Sequence, residues 1–222
     1  DGRARARLPQ VFDTIAPESP EEAGGIDTVR SGIDYALEFS LEHLTLTGAA
    51  VYGKGNHRDN NIIGNANGNW LVGDGGNDRL SWTAGDHQFD GGLGHDLILG
   101  RDGGDVVDGG AGKDRIYGDA GDDQISGGFD ADVMYGGAGN DQFTVDNSGD
   151  VIVERAGEGT DLGTASASHV LKANVENLTL TGSLGLRGCG FLHVLDGKIQ
   201  FQRGYWDKLS FLRLHNLPLP RE

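Results

Sequence analysis

Between Gly55 and Thr144 an apolar side chain returns every nine residues: Ile62, Leu71, Leu80, Phe89, Ile98, Val107, Ile116, Ile125, Met134 and Phe143. The phase never slips, so the segment divides into ten consecutive nonapeptides with the apolar residue at position eight. One buried side chain per repeat predicts a strand of about three residues at positions seven to nine, followed by a six-residue turn. Glycine crowds the turn. Its sixth position reads Asn60, Asn69, Asp78, His87, Asp96, Asp105, Asp114, Asp123, Asp132 and Asp141.

A longer repeat brackets the short one. GIDTVRSGIDYALEFSLEHLTLTG at 25–48 aligns with GTDLGTASASHVLKANVENLTLTG at 159–182, sharing LTLTG and the preceding Glu42 and Glu176. In both, leucine alternates with threonine as in a half-buried strand. The expected organisation is an irregular segment at 1–24, a strand-rich flank at 25–54, the nonapeptide block at 55–144, a second strand-rich flank at 145–190 and a distinct tail at 191–222.

Composition sharpens the reading of the block. It holds 23 of the 39 glycines and 16 of the 25 aspartates, yet no glutamate, which signals a geometric demand for a short carboxylate. The formal net charge of −16 argues against nucleic acid or an anionic membrane as partner and in favour of cations. No apolar run is long enough for a membrane helix. The opening DGRARARLPQ contains no apolar stretch of the kind a secretory leader requires. Cys189, the single cysteine, cannot form an internal bridge.

GGLGHDLIL, GGAGKDRIY and GGAGNDQFT resemble the G-G-x-G-x-D-x-U-x repeat of RTX calcium-binding proteins. Four further copies, beginning at Gly73, Gly100, Gly118 and Gly127, depart from it only at early positions. The expected fold is an all-β parallel β-roll. Two nonapeptides complete one coil, repeat n stacks on repeat n+2, and the position-eight column fills a thin core between two parallel sheets.

In that stack each turn can act as half of an ion cage. Glycine permits backbone angles that a β-carbon forbids and lets carbonyl oxygens converge, and calcium prefers six to eight oxygen ligands. The candidate ligands are Asp78, Asp96, Asp105, Asp114, Asp123, Asp132 and Asp141. With them go the backbones of Gly73, Gly75, Gly76, Gly91, Gly92, Gly94, Gly100, Gly103, Gly109, Gly110, Gly112, Gly118, Gly121, Gly127, Gly128, Gly136, Gly137 and Gly139. Each ion is expected between the aspartates of repeats n and n+2. The pairs Asp78/Asp96, Asp96/Asp114 and Asp114/Asp132 make one row, and Asp105/Asp123 and Asp123/Asp141 the other. That gives about five calcium ions. Asn60, Asn69 and His87 offer no carboxylate, so their turns are expected to be weak or empty.

Without cations, 16 aspartates face only Arg58, Arg79, Arg101, Lys113 and Arg115 within the block, so calcium is expected to drive its folding. Low calcium inside cells and high calcium outside then suggest a secreted, extracellular module with a structural or interaction role. The RTX resemblance implies type I export through a C-terminal signal, which the closing LHNLPLPRE does not resemble.

Other chemistry finds little support. GGAGKD at 109–114 continues to Asp rather than Ser or Thr, so it is not a phosphate loop, and neither H-E-x-x-H nor G-x-S-x-G occurs. His95 and Lys113 fall at the variable position five and are expected in solvent, and His87 reads as a decayed repeat. The tail resembles the last strands of the SnoaL-like, nuclear-transport-factor-2-like family, with a hairpin turning at Asp196-Gly197. That resemblance implies an alternative, a fusion to a SnoaL-like isomerase, cyclase or hydrolase with the roll as folding and export aid. A tail this short is expected to cap the coil through Phe191, Leu192, Ile199, Phe201, Tyr205 and Trp206. Asp196, Asp207, His193 and His215 are not expected to be catalytic, and Cys189 is expected to be incidental.

Overall fold

In the computed structural model, position eight of each nonapeptide is the centre of a strand. Residues 25–166 and 173–181 are described, together with the backbone of Leu192–Leu195 and Lys198–Phe201. The repeat strands run Asn61–Ile63, Trp70–Val72, Arg79–Ser81 and onward to Gln142–Val145. They alternate between two parallel sheets, one of eight strands from Thr28–Ser31 to Val151–Val153 and one of nine from Tyr35–Ala36 to Asn177–Leu180. Ile62 pairs with Leu80, Leu80 with Ile98, Ile98 with Ile116 and Ile116 with Met134, a step of two nonapeptides each time. The structure is a parallel β-roll. Among the described residues there is no helix, and hence none long and apolar enough to cross a membrane.

All ten position-eight side chains are at most 3 % exposed. Their hydrophobic burial is the dispersed equivalent of a core, one side chain thick along the whole stack. Two strands reach six residues: Arg115–Ala120 and Val133–Ala138 run into the following turns, where Asp119 pairs with Gly137 and Ala120 with Ala138.

The flanks add coils to the same two sheets. Thr28–Ser31 pairs with His43–Leu46, which pairs with Asn61–Ile63 of the first nonapeptide, and Gln142–Val145 pairs with Leu162–Ala165, which pairs with Asn177–Leu180. The long repeat is visible as repeated bonding. Asp27 donates its N–H to the Glu42 carboxylate at 3.1 Å, and Asp161 donates to the Glu176 carboxylate at 2.9 Å. Thr47 bonds the Ser31 carbonyl through N and Oγ1, as Thr181 bonds that of Ala165. Both copies therefore build one kind of coil, closed by a glutamate.

Leu192–Leu195 and Lys198–Phe201 form an antiparallel hairpin, with Leu195 opposite Lys198. The Asp196-Gly197 turn itself, Cys189, His193 as a side chain, Asp207 and His215 lie outside the described residues, as do the apolar side chains expected to cap the coil.

Candidate metal centres

The seven sixth-position aspartates stand in two files, each side chain at most 2 % exposed. In one file Oδ1 of Asp78, Asp96, Asp114 and Asp132 accepts the backbone N–H of Asn60, Asp78, Asp96 and Asp114 at 2.7–2.8 Å. In the other, Asp105, Asp123 and Asp141 accept from His87, Asp105 and Asp123 at 2.8–2.9 Å. Asp96 and Asp114 are therefore direct neighbours. One oxygen of each carboxylate is held by the backbone amide of the position-six residue stacked beside it, an aspartate in five cases, Asn60 beside Asp78 and His87 beside Asp105.

The second oxygen is the informative one. Oδ2 of all seven aspartates is buried and accepts no hydrogen bond. Leaving a buried carboxylate oxygen unpartnered is costly unless a cation meets it. Six of those oxygens, all but that of Asp105, are among the nearest atoms to a Cβ placed on the first glycine of the repeat. A Cβ on Gly73 would run into Asp78 Oδ2 and the Gly91 carbonyl, and one on Gly91 into Asp96 Oδ2 and the Gly109 carbonyl. Gly109 lies between Asp114 Oδ2 and the Gly127 carbonyl, and Gly118 between Asp123 Oδ2 and the Gly136 carbonyl. Gly100 faces the carbonyls of Tyr117 and Gly118. Carboxylate and carbonyl oxygens with no nitrogen or sulfur form a hard donor set, which fits calcium and not zinc or copper.

Position four packs the turns together. Gly112 sits at φ +133°, and a Cβ there would strike the Gly94 carbonyl, so glycine is required by both conformation and space. Where position two departs from glycine, the backbone keeps its hand: Asp74, Arg101 and Asp119 have φ of 82°, 66° and 73°. That is why copies imperfect at early positions still form turns.

Burial away from water pushes the Asp96, Asp132 and Asp141 carboxyls up to about 6, those of Asp78, Asp114 and Asp123 to about 7, and Asp105 to about 8. Neighbouring carboxylates add to the rise, and the backbone N–H bond to each opposes it.

In the turns lacking aspartate, the position-six side chain finds hydrogen-bond partners within the protein. Asn60 Nδ2 donates to the Leu41 and Glu42 carbonyls at 3.2 and 3.3 Å, and Asn69 Nδ2 donates to the Ala50 carbonyl at 3.2 Å. His87 Nδ1 accepts the Asn69 N–H at 2.9 Å, and its ring stacks on Trp82 at 4.1 Å. Trp82, which takes the place of the first glycine in that repeat, also stacks on Phe89 at 3.8 Å. His95 and Lys113 are exposed.

The files continue past the block. Asp150 Oδ1 accepts the Asp132 N–H at 3.2 Å and Asp161 Oδ1 accepts that of Asp141 at 2.9 Å. Asp150 was legible: VDNSGDVIV at 145–153 keeps Asp at position six and buried Ile152 at position eight, although its one glycine, Gly149, falls at position five rather than at positions one, two or four. Asp161 was hidden by two inserted residues, which shift it to twenty after Asp141.

Four overlapping matches to the RTX calcium-binding nonapeptide repeat cover 55–86, 83–116, 90–125 and 108–143. Residues 55–143 are RTX calcium-binding repeats. No curated protein and no solved structure matches the chain. RTX repeats bind calcium and form a structural, non-catalytic roll, and no enzyme family matches. Within the RTX block, among the described residues, no three acidic, histidine or cysteine side chains meet at one point. A cage in these repeats must therefore draw on backbone carbonyls as well as on aspartate.

Proposed function

We propose that the chain is the calcium-operated module of a secreted protein, folding when it meets extracellular calcium and serving a structural or interaction role. The observation that carries this reading is the set of seven buried Oδ2 atoms without hydrogen-bond partners, in two files, each belonging to the position-six aspartate of an RTX turn. About five calcium ions would sit between stacked turns, three in the Asp78–Asp132 file and two in the Asp105–Asp141 file. The carboxylate Oδ2 and the glycine carbonyls would hold each ion, which supplies the charge that lets them pack.

The chain's own residues set the coupling. Asp78 through Asp141 bring buried negative charge that opposes collapse in the absence of cations, while Ile62 through Phe143 supply a core only one side chain thick. Ordering each residue costs roughly 1–2 kcal/mol of backbone entropy. The metal-binding free energy therefore becomes folding free energy. In the calcium-poor cytosol such a chain stays export-competent, and outside the cell it folds.

A calcium titration read together by far-UV circular dichroism and by bound-ion count tests this. The expected outcome is strand signal that grows with about five ions. Equal strand content with and without calcium, or a count of none or one at saturation, would contradict it.

A further inference from the structure

At Asp141, the last member of the Asp105–Asp141 file within the block, the pairing of one carboxylate with one carbonyl changes. The register step that places a glycine carbonyl beside Gly73, Gly91, Gly109 and Gly118 brings Glu154 to Gly136. A Cβ on Gly136 would meet Glu154 Oε1, Asp141 Oδ2 and, at 2.8 Å, the Phe143 ring. Glu154 is 7 % exposed, and its carboxylate is fixed by the N–H groups of Gly136 at 2.7 Å and Gly137 at 3.4 Å. Asp141 is 1 % exposed; its Oδ1 is occupied by the Asp123 amide at 2.9 Å, and its Oδ2 is buried with no partner. Two buried carboxylates thus converge on the flank of one glycine.

We propose that Asp141 and Glu154 form a further calcium site, at the junction between the RTX block and the coil that follows it. The inference rests on the calcium reading above and adds an ion to the five of the block. Two ionised carboxylates held this close away from water repel each other, and a cation between them relieves that repulsion. Carboxylate oxygens in a shell completed by backbone carbonyls select calcium over softer metals. With two carboxylates where the sites inside the block offer one Oδ2 and a carbonyl, this site fills at lower calcium than they do. The other file has no counterpart. Beside Gly127 the nearest atoms all belong to Asp132, so no second carboxylate faces Asp132 Oδ2 there as Glu154 faces Asp141 Oδ2 beside Gly136.

The test is the bound-calcium count of the whole chain at saturation, with circular dichroism, for the parent, Glu154→Gln and Glu158→Gln. Glutamine at 154 can still accept the Gly136 N–H, and Glu158 is a neighbouring acid paired with Arg155. The expected result is one ion fewer in Glu154→Gln at undiminished strand signal, loss of the tightest-binding step, and no change in Glu158→Gln. If Glu154→Gln falls short of the parent's strand signal, Asp141→Asn carries the same count, since asparagine keeps an Oδ1 for the Asp123 amide. A full parental count in either variant overturns the site. A parental count of none or one would instead remove the calcium reading, and this site with it.

Discussion

Asp114 and Ile116 are two residues apart, both buried, and answer opposite requirements. Ile116 is wholly inside the column that joins the sheets, and truncating it leaves a cavity that its rigid neighbours cannot fill. Ile116→Ala should cost about 2–5 kcal/mol, read as a raised calcium midpoint and a lowered Tm with the ion count at saturation unchanged. Asp114 presents a buried Oδ2 that no hydrogen-bond donor of the protein meets. Asn60, in the equivalent position of the first turn, presents an amide that donates to carbonyls instead. Gly55 beside it faces Asn60 Oδ1 and the Gly73 carbonyl, and Asn60 Oδ1 already accepts the Asn56 N–H at 2.7 Å. Asn60→Asp should lose the two amide bonds without calcium and gain one bound ion with it, measured by ion counting and by stability in chelator. An unchanged count would show that carboxylate charge is not what the first turn lacks.

At the scale of the element, the carboxyls of the two aspartate files shift in the same direction. They lie near 6 to 8 when folded, above the ordinary 3.8, because burial disfavours the ionised form. A group raised on folding stabilises the fold fully below its unfolded value and loses that contribution as pH rises through the folded value. In chelator, strand content should therefore be greater near pH 4 than near pH 8. Calcium binding has the opposite slope, since protons and calcium compete for the same oxygens, so the calcium concentration at half-saturation should rise as pH falls from 8 to 6. Circular dichroism in chelator and calcium titrations at both pH values check the two signs. A calcium midpoint independent of pH across that window would contradict the placement of ions on these carboxylates.

For the molecule as a whole, the period-nine phase fixed the strand positions, the two sheets and the stacking of repeat n on n+2, because a roll repeats one local geometry and the sequence repeats with it. The two files of buried position-six aspartates were legible for the same reason. What period alone could not carry was the division of labour within a carboxylate, one oxygen to an amide and the other left for a cation, which depends on the lateral offset of stacked turns. The Trp82–His87–Phe89 stack was hidden too, since it replaces the glycine and aspartate pattern with a different packing. Glu42 and Glu176 stood out as shared residues, but their bonds to the amides of Asp27 and Asp161 required the coil to be closed in space. The same continuity makes the flanks part of the roll's hydrogen-bond network.

The central claim concerns where the cations sit, and an anomalous-scattering map of crystals grown in calcium addresses it most directly. The account predicts ions in two files on the flanks of the position-one glycines, each within about 2.3–2.6 Å of an aspartate Oδ2 such as that of Asp96 or Asp123. Ions found only on the outer faces of the sheets, with these Oδ2 atoms bonded to protein or water instead, would contradict it.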